Sequence, residues 1–141
     1  MTASLAPRRD DPGPTAWRLR IWGRLICAGL AVGGGWGAVI TVLGYSFVLI
    51  PIGAVLGAAV TTSIAILTAM LLAWIPDRAA LSSWTAPLTG AALACAAQFY
   101  IIGIVIDEPQ AFLDPRIAAI TATTAALVAA GFLWAVRGAR R

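Results

Sequence analysis

The sequence predicts an all-α integral membrane protein whose four transmembrane helices form an antiparallel up-down bundle with both termini in the cytoplasm. Hydrophobic residues make up 60% of the 141 residues, and the mean hydropathy is +0.88. The ten basic and six acidic residues fall in short segments that separate long uncharged stretches. Amphipathic helices of soluble proteins instead carry charges along their whole length. We therefore expect the lipid bilayer to surround the helices.

The first residues differ in composition from the rest of the chain. Residues 1–16 (MTASLAPRRDDPGPTA) combine three prolines with four charges. Such a segment buries too little apolar area to offset the entropy lost on ordering. We predict a disordered, Arg/Pro-rich cytoplasmic tail over 1–16, a four-helix transmembrane domain over 17–137 and a basic cytoplasmic tail over 138–141.

The first two helices are predicted within one uncharged run. Residues 25–76 carry no charge. As a single helix they would extend roughly 78 Å, whereas the hydrocarbon core of a bilayer is about 30 Å thick. The run must therefore cross the membrane twice, and the segment GYSFVLIP (44–51) favours a reversal because glycine and proline bracket it. The predicted helices span 22–44 and 50–75.

The remaining two helices are predicted from their ends. A third helix is expected at 88–106, because two acidic residues and a proline follow it directly. A fourth is expected at 116–136. Asp114 before it is typical of an N-cap residue, and Pro115 is typical of the first helical position.

The arginines predict the orientation, because cytoplasmic segments of membrane proteins carry an excess of positive charge. Nine of the ten arginines precede the first helix or lie in its first turn, lie between the second and third helices, or follow the fourth, and Arg116 is the exception. All basic residues are arginine, and Ala and Gly are abundant, which indicates a GC-rich genome. We expect the chain to lie in the cytoplasmic (inner) membrane of a bacterium. Four tryptophans share the arginine-rich boundary, as an interfacial aromatic belt requires: Trp22, Trp74, Trp84 and Trp134.

The residue types exclude many catalytic sites. The chain contains no histidine and no lysine, so it offers no imidazole for metal binding and no amine for a Schiff base. Cys27 and Cys95 are too few for a disulfide framework or a zinc site. No nucleophile elbow, zinc-protease motif or phosphate-binding loop occurs. We predict a non-enzymatic protein without cofactor or metal, whose arginines set topology and bind no nucleic acid.

Small residues recur at intervals of four in three of the helices. A face of this kind lets two helix backbones approach closely. We predict close antiparallel packing of the first helix against the second, and the alternative is docking of a second copy or another membrane subunit. The residues are Gly29, Gly33 and Gly37 in the first helix, Gly53, Gly57, Thr61, Ala65, Ala69 and Ala73 in the second, and Ala118, Ala122, Ala126 and Ala130 in the fourth.

Polar residues inside the spans are the remaining candidates for a site, because an uncompensated polar group in lipid is costly. Gln98 in the third helix needs partners for both its amide N–H groups and its oxygen. Thr61 and Thr62 lie in the second helix. These three residues predict either hydrogen bonds between helices or the lining of a polar path, and bonds between helices are favoured.

Abundant packing faces and absent catalytic motifs lead to three functional hypotheses. The first is a non-enzymatic subunit of a larger membrane complex, or a homo-oligomer, assembled through the Gly/Ala helix faces. The second is a small oligomeric channel or transporter with a path lined by threonine and Gln98; without a buried charge, a passive pore is favoured over a proton-driven pump. The third is a membrane-permeabilising protein of the holin type.

Overall fold

The computed structural model describes residues 14–44, 47–74, 84–106 and 113–139, with side chains for all of these except 14–17, 105 and 106. Within these ranges the chain is almost entirely helical and contains no strand. The predicted all-α class is therefore confirmed for the described residues.

Four long helices make up the structure: α1 (Pro14–Gly44), α2 (Ile50–Ala73), α3 (Thr85–Ile106) and α4 (Pro115–Ala139). A short 3-10 helix, Phe47–Leu49, precedes α2. Each long helix contains a stretch that is long and apolar enough to cross a membrane. The prediction of four candidate spans is confirmed, and they indicate a multi-pass membrane protein. The arrangement across a bilayer and the cytoplasmic termini stay predictions.

Two helices begin earlier than expected. α1 starts at Pro14 instead of 22, and α3 starts at Thr85 instead of 88. Proline is accepted in the first turn of a helix, because N–H groups there have no acceptor within the helix. Pro14 and Pro87 both occupy such positions. Residues 14–16 of the predicted tail therefore belong to α1, and residues 1–13 lie outside the described residues.

The start of α4 confirms the predicted cap. The backbone N–H of Arg116 donates to the Asp114 side-chain oxygen at 2.8 Å, and the N–H of Ala118 donates to the Asp114 carbonyl at 3.0 Å. Pro115 occupies the first helical position. At its other end α4 continues through Arg137 and Gly138 to Ala139, beyond the predicted end at 136, and an arginine in the last turn is favourable at the negative end of the helix dipole. Positions 140 and 141 of the basic tail lie outside the described residues.

The order of contacts gives the relative directions of the helices. α1 packs on α2 and α4, and α3 packs on α4; the contact between α2 and α3 is the least extensive of these. Residue numbers rise along α1 while they fall along both neighbours, so α1 runs opposite to α2 and to α4. The pairs that show this are Gly29 with Thr61 and Gly37 with Gly53 on α2, and Arg24 with Trp134 and Trp36 with Thr124 on α4.

The buried apolar core occupies only one half of the molecule. We call this the terminal half, and it comprises residues 18–28, 64–74, 84–94 and 128–139; the hairpin half comprises 29–44, 47–63, 95–104 and 113–127. The largest completely buried side chains of the terminal half are Phe132, Leu25, Val128 and Thr68. Its buried apolar residues are Ile21, Leu25, Ala28, Ile64, Ala65, Ala69, Leu72, Ala86, Ala94, Val128, Phe132, Ala135 and Val136.

The tryptophans of the predicted belt all lie in the terminal half. Trp22, Trp74, Trp84 and Trp134 are exposed, and Trp74 is the most exposed at 88%. The Arg24 guanidinium lies 5.8 Å from the centre of the Trp134 ring, which is a cation–π distance. Exposed aromatic rings beside an arginine are the arrangement that an aromatic belt at a lipid headgroup layer requires.

Candidate functional site

The glycines of α1 and α2 lie in direct backbone contact. A Cβ atom placed on Gly33 would overlap the Gly57 carbonyl, and one placed on Gly57 would overlap the Gly33 carbonyl. A Cβ on Gly37 would lie 3.0 Å from the carbonyl carbon of Gly53. Only glycine permits such an approach, because any side chain would separate the helices.

Thr61 fastens the same contact by a hydrogen bond. Its hydroxyl donates to the Gly29 carbonyl on α1 at 2.6 Å and lies 2.8 Å from the Gly57 carbonyl on its own helix. A threonine hydroxyl has one proton, so this proton is shared between two carbonyls. Thr61 is 6% exposed, and it therefore acts as a bond between helices in the structure.

The contact between the glycines removes the α1 and α2 faces from the hypothesis of partner docking. Gly29, Gly33, Gly37, Gly53 and Gly57 are buried or half-buried against one another, so this face offers no free surface to a second copy or another subunit. The small residues of α4 are instead exposed on successive turns: Ala118, Ala122, Ala126 and Ala130.

A cavity of about 350 Å³ lies in the hairpin half and is lined by all four helices. We call it the Gln98 cavity. Its volume is at the lower end of the range for small-molecule sites, about 300–1,000 Å³. Its larger apolar walls are Ile40, Leu56, Val60, Ile64, Ile101 and Ile102, and its polar lining residues are Trp36, Thr41, Thr61, Gln98 and Thr124.

The packing between the helices differs between the two halves. In the terminal half Leu25, Val128 and Phe132 are completely buried and fill the space between the helices. At the cavity Gly33, Gly37, Gly53 and Gly57 bring α1 and α2 into contact, and α3 contributes the small residues Ala94 and Ala97 to the lining. Side chains that line such a space lose dispersion contacts on one side, so a molecule that fits the cavity would restore them.

Gln98 lines this cavity and carries an unpaired polar atom. Its side-chain oxygen is shielded from solvent and has no hydrogen-bond partner among the described residues. A buried acceptor without a partner costs about 1–3 kcal/mol, and inside a bilayer water does not replace the partner. The predicted bond between helices is therefore not made by this oxygen.

Trp36 is a cavity residue that the sequence reasoning missed. Its indole N–H donates to the Thr124 hydroxyl oxygen on α4 at 2.8 Å, and the Thr124 hydroxyl donates to the Ile120 carbonyl at 2.8 Å. A buried indole N–H usually requires an acceptor. The sequence did contain a signal for it: a single tryptophan lies among glycines in the middle of the first span. Such a residue predicts a hydrogen bond to another helix.

The hydroxyl groups of the cavity are already engaged. Thr41 donates to the Gly37 carbonyl at 2.7 Å, and Thr61 and Thr124 donate as described above. Thr62 does not line the cavity, and its buried hydroxyl has no partner among the described residues. The structure thus brings Thr61 and Gln98 to one site and leaves Thr62 outside it.

The described residues form no polar path through the terminal half. The cavity is bounded there by Ile64 and Ala94, and the apolar core follows. None of the lining residues is ionisable. Within the described ranges, no three His, Cys, Asp or Glu side chains lie close enough together to hold a metal ion. The site therefore suits a neutral molecule better than an ion.

Comparison with known proteins does not identify a function for this chain. No protein-family model, curated protein or solved structure matches this chain. The functional argument therefore rests on the Gln98 cavity, which is apolar apart from a few polar lining residues.

Proposed function

We propose that this protein is a non-enzymatic, multi-pass protein of the cytoplasmic membrane that holds a small neutral molecule in the Gln98 cavity. One observation carries the proposal: an apolar cavity of about 350 Å³ is lined by Gln98, a polar residue whose buried oxygen has no partner among the described residues. Protein interiors are normally packed as tightly as organic crystals. A cavity with one oriented polar group is the usual form of a small-molecule site.

The proposed topology is an antiparallel up-down bundle with both termini in the cytoplasm. The contact order on α1 and the arginine distribution support it. It places the Gln98 cavity in the outer half of the membrane. A fluorescent protein fused after Arg141 should fold and fluoresce, and alkaline phosphatase fused at the same point should be inactive. Active phosphatase with a dark fluorescent fusion would reverse the orientation.

Occupation of the cavity can be measured through Trp36, which lines it. The protein used retains Trp36 alone, because the other five tryptophans are replaced: Trp17→Phe, Trp22→Phe, Trp74→Phe, Trp84→Phe and Trp134→Phe. The probe is 1-bromooctane in lipid vesicles, since bromine quenches indole fluorescence on contact. We expect saturable quenching of Trp36. In a matched protein that retains only Trp74, which is 88% exposed, quenching should rise in proportion to the bromooctane in the bilayer.

Two substitutions at neighbouring alanines separate cavity binding from partition into lipid. Ala97 lines the cavity, whereas Ala96 is exposed. Ala97→Phe should fill the cavity and abolish the saturable component of Trp36 quenching, and Ala96→Phe should retain it. Quenching of Trp36 that never saturates, or that is the same in both variants, would rule out a ligand in the cavity.

A second candidate function is a subunit of a membrane complex or a homo-oligomer. The four exposed alanines of α4 favour it, because they offer the close approach that the buried glycines no longer offer. We expect a defined assembly when the protein is extracted gently and its native mass is measured. Ala126→Phe should reduce that mass to the monomer. A wild-type protein that is monomeric and carries no other protein would remove this candidate.

A further inference from the structure

We infer that the terminal half carries a binding site for the headgroup of an anionic phospholipid, in a groove on α4 beside Arg24 and Arg137. The site is separate from the Gln98 cavity, which lies in the hairpin half. Three observations carry the inference: two guanidinium groups flank one aromatic ring, no acidic residue of the described ranges lies near them, and the groove continues over apolar residues.

The groove lies along the last turns of α4 and has a volume of about 320 Å³. We call it the Trp134 groove, and the described residues that line it are Ala130, Leu133, Trp134, Arg137 and Gly138. Trp134 is 65% exposed, and Arg137 is exposed as well. The groove is therefore open to the surroundings. Its apolar part lies toward the middle of the helix, and its basic part lies toward the helix end.

Arg24 brings a second guanidinium to this groove from α1. It lies 5.8 Å from the centre of the Trp134 ring, and a Cβ atom placed on Gly138 would overlap it. Arg137 is three residues after Trp134, so these two side chains are neighbours on the surface of α4. Each guanidinium offers N–H donors in a planar fork that matches the oxygens of a phosphate.

The described residues do not neutralise these two arginines. The described ranges contain one acidic residue, Asp114, which precedes α4 in the hairpin half. Asp114 is roughly 35 Å from Arg137 along the helix. The carbonyl groups at the end of α4 supply only about −0.5 of an elementary charge. Most of the positive charge therefore remains for an anion.

The apolar part of the groove identifies the anion as a lipid. A phosphate held by Arg24 and Arg137 would place an acyl chain along Ala130 and Leu133, whereas a soluble anion would leave these residues uncovered. Exposed tryptophans mark the headgroup depth of a membrane protein. The proposed topology puts this end at the cytoplasmic leaflet, whose anionic lipids attract arginines beside a span.

The test measures which lipid contacts Trp134. The protein used retains Trp134 alone, because the other five tryptophans are replaced by phenylalanine. It is placed in vesicles of anionic phosphatidylglycerol and zwitterionic phosphatidylcholine. One lipid at a time carries bromine on the upper part of its acyl chain, so quenching of the indole gives the relative affinity of the two lipids. We expect phosphatidylglycerol to be preferred about tenfold or more, because each arginine near an anionic headgroup contributes about fivefold.

Arg24→Gln and Arg137→Gln should each lower this preference about fivefold. Arg137 is exposed, so its substitution tests the site even if Arg24→Gln fails to fold. Arg18→Gln is the matched control. It removes the same charge at the same end of α1, but Arg18 is six residues before Arg24 and lies on a different side of the helix. It should change the preference by less than about twofold, because salt screens distant exposed charges.

Two results would overturn the site. A wild-type protein without preference for phosphatidylglycerol, or a preference that Arg18→Gln lowers as much as the two site variants, would mean that positive charge attracts lipid only diffusely. A Trp134 that neither brominated lipid quenches would mean that protein covers the groove.

Discussion

Gly33→Ala is expected to lower the stability of the protein by about 2–3 kcal/mol, near the upper end of what overpacking usually costs. A methyl group at this position would overlap the Thr61 hydroxyl and the Gly57 carbonyl. The carbonyl belongs to the backbone of α2 and cannot turn away as a side chain would. α1 and α2 must therefore separate, which also breaks the bond from Thr61 to Gly29. Unfolding in mixed micelles, followed by circular dichroism, measures the loss.

Gly35 provides the matched control on the same helix. It is exposed, and a Cβ atom there would meet nothing within 4 Å. Gly35→Ala should keep or slightly raise the stability, because alanine favours a helix over glycine by about 0.5–1 kcal/mol. If Gly33→Ala were as stable as Gly35→Ala, the backbones of α1 and α2 would not touch at this level.

Phe132→Ala is expected to cost about 2–4 kcal/mol through the cavity that it leaves. Phe132 is 1% exposed and is among the largest completely buried side chains. Its ring lies over Gly90 of α3, where an added Cβ would overlap the ring carbons. Lipid is as apolar as a protein core, so lost packing supplies most of this cost. The same unfolding measurement applies.

Phe47→Ala is the control for this substitution, since Phe47 is 77% exposed and lies outside the core. It should change stability by less than about 0.5 kcal/mol. Gly90→Leu should partly restore the Phe132→Ala protein, because its side chain can enter the space of the lost ring. A Phe132→Ala protein as stable as Phe47→Ala would contradict the packing of α3 on α4.

The positions of the helices were predictable from the distribution of apolar and charged residues, because the length of an apolar run and the charges at its ends act locally. The uncharged residues 25–76 predicted α1 and α2, and the cap at Asp114 predicted the start of α4. Two of the errors involve prolines. Pro14 was placed in the tail and Pro87 before the third helix, but both lie within first turns, where proline is tolerated.

The candidate site was only partly predictable. Gln98 stood out as a polar residue in an apolar span, and the structure places it at the cavity with Thr61. Trp36 was missed, because its role depends on Thr124, which is far away in the sequence. Thr62 was grouped with Thr61, but adjacent residues of a helix face different directions. Thr61 therefore faces α1 and the cavity, whereas Thr62 does not line the cavity.

The sequence by itself determined the four long apolar helices of the described residues, because each helix satisfies its backbone hydrogen bonds locally and needs only composition and length. Only the tertiary structure decided which small faces are covered and which are free. It also divided the interior into a packed terminal half and a hairpin half with a cavity. That division depends on side chains from four helices meeting at one level, and the volume between them is not a property of any single segment.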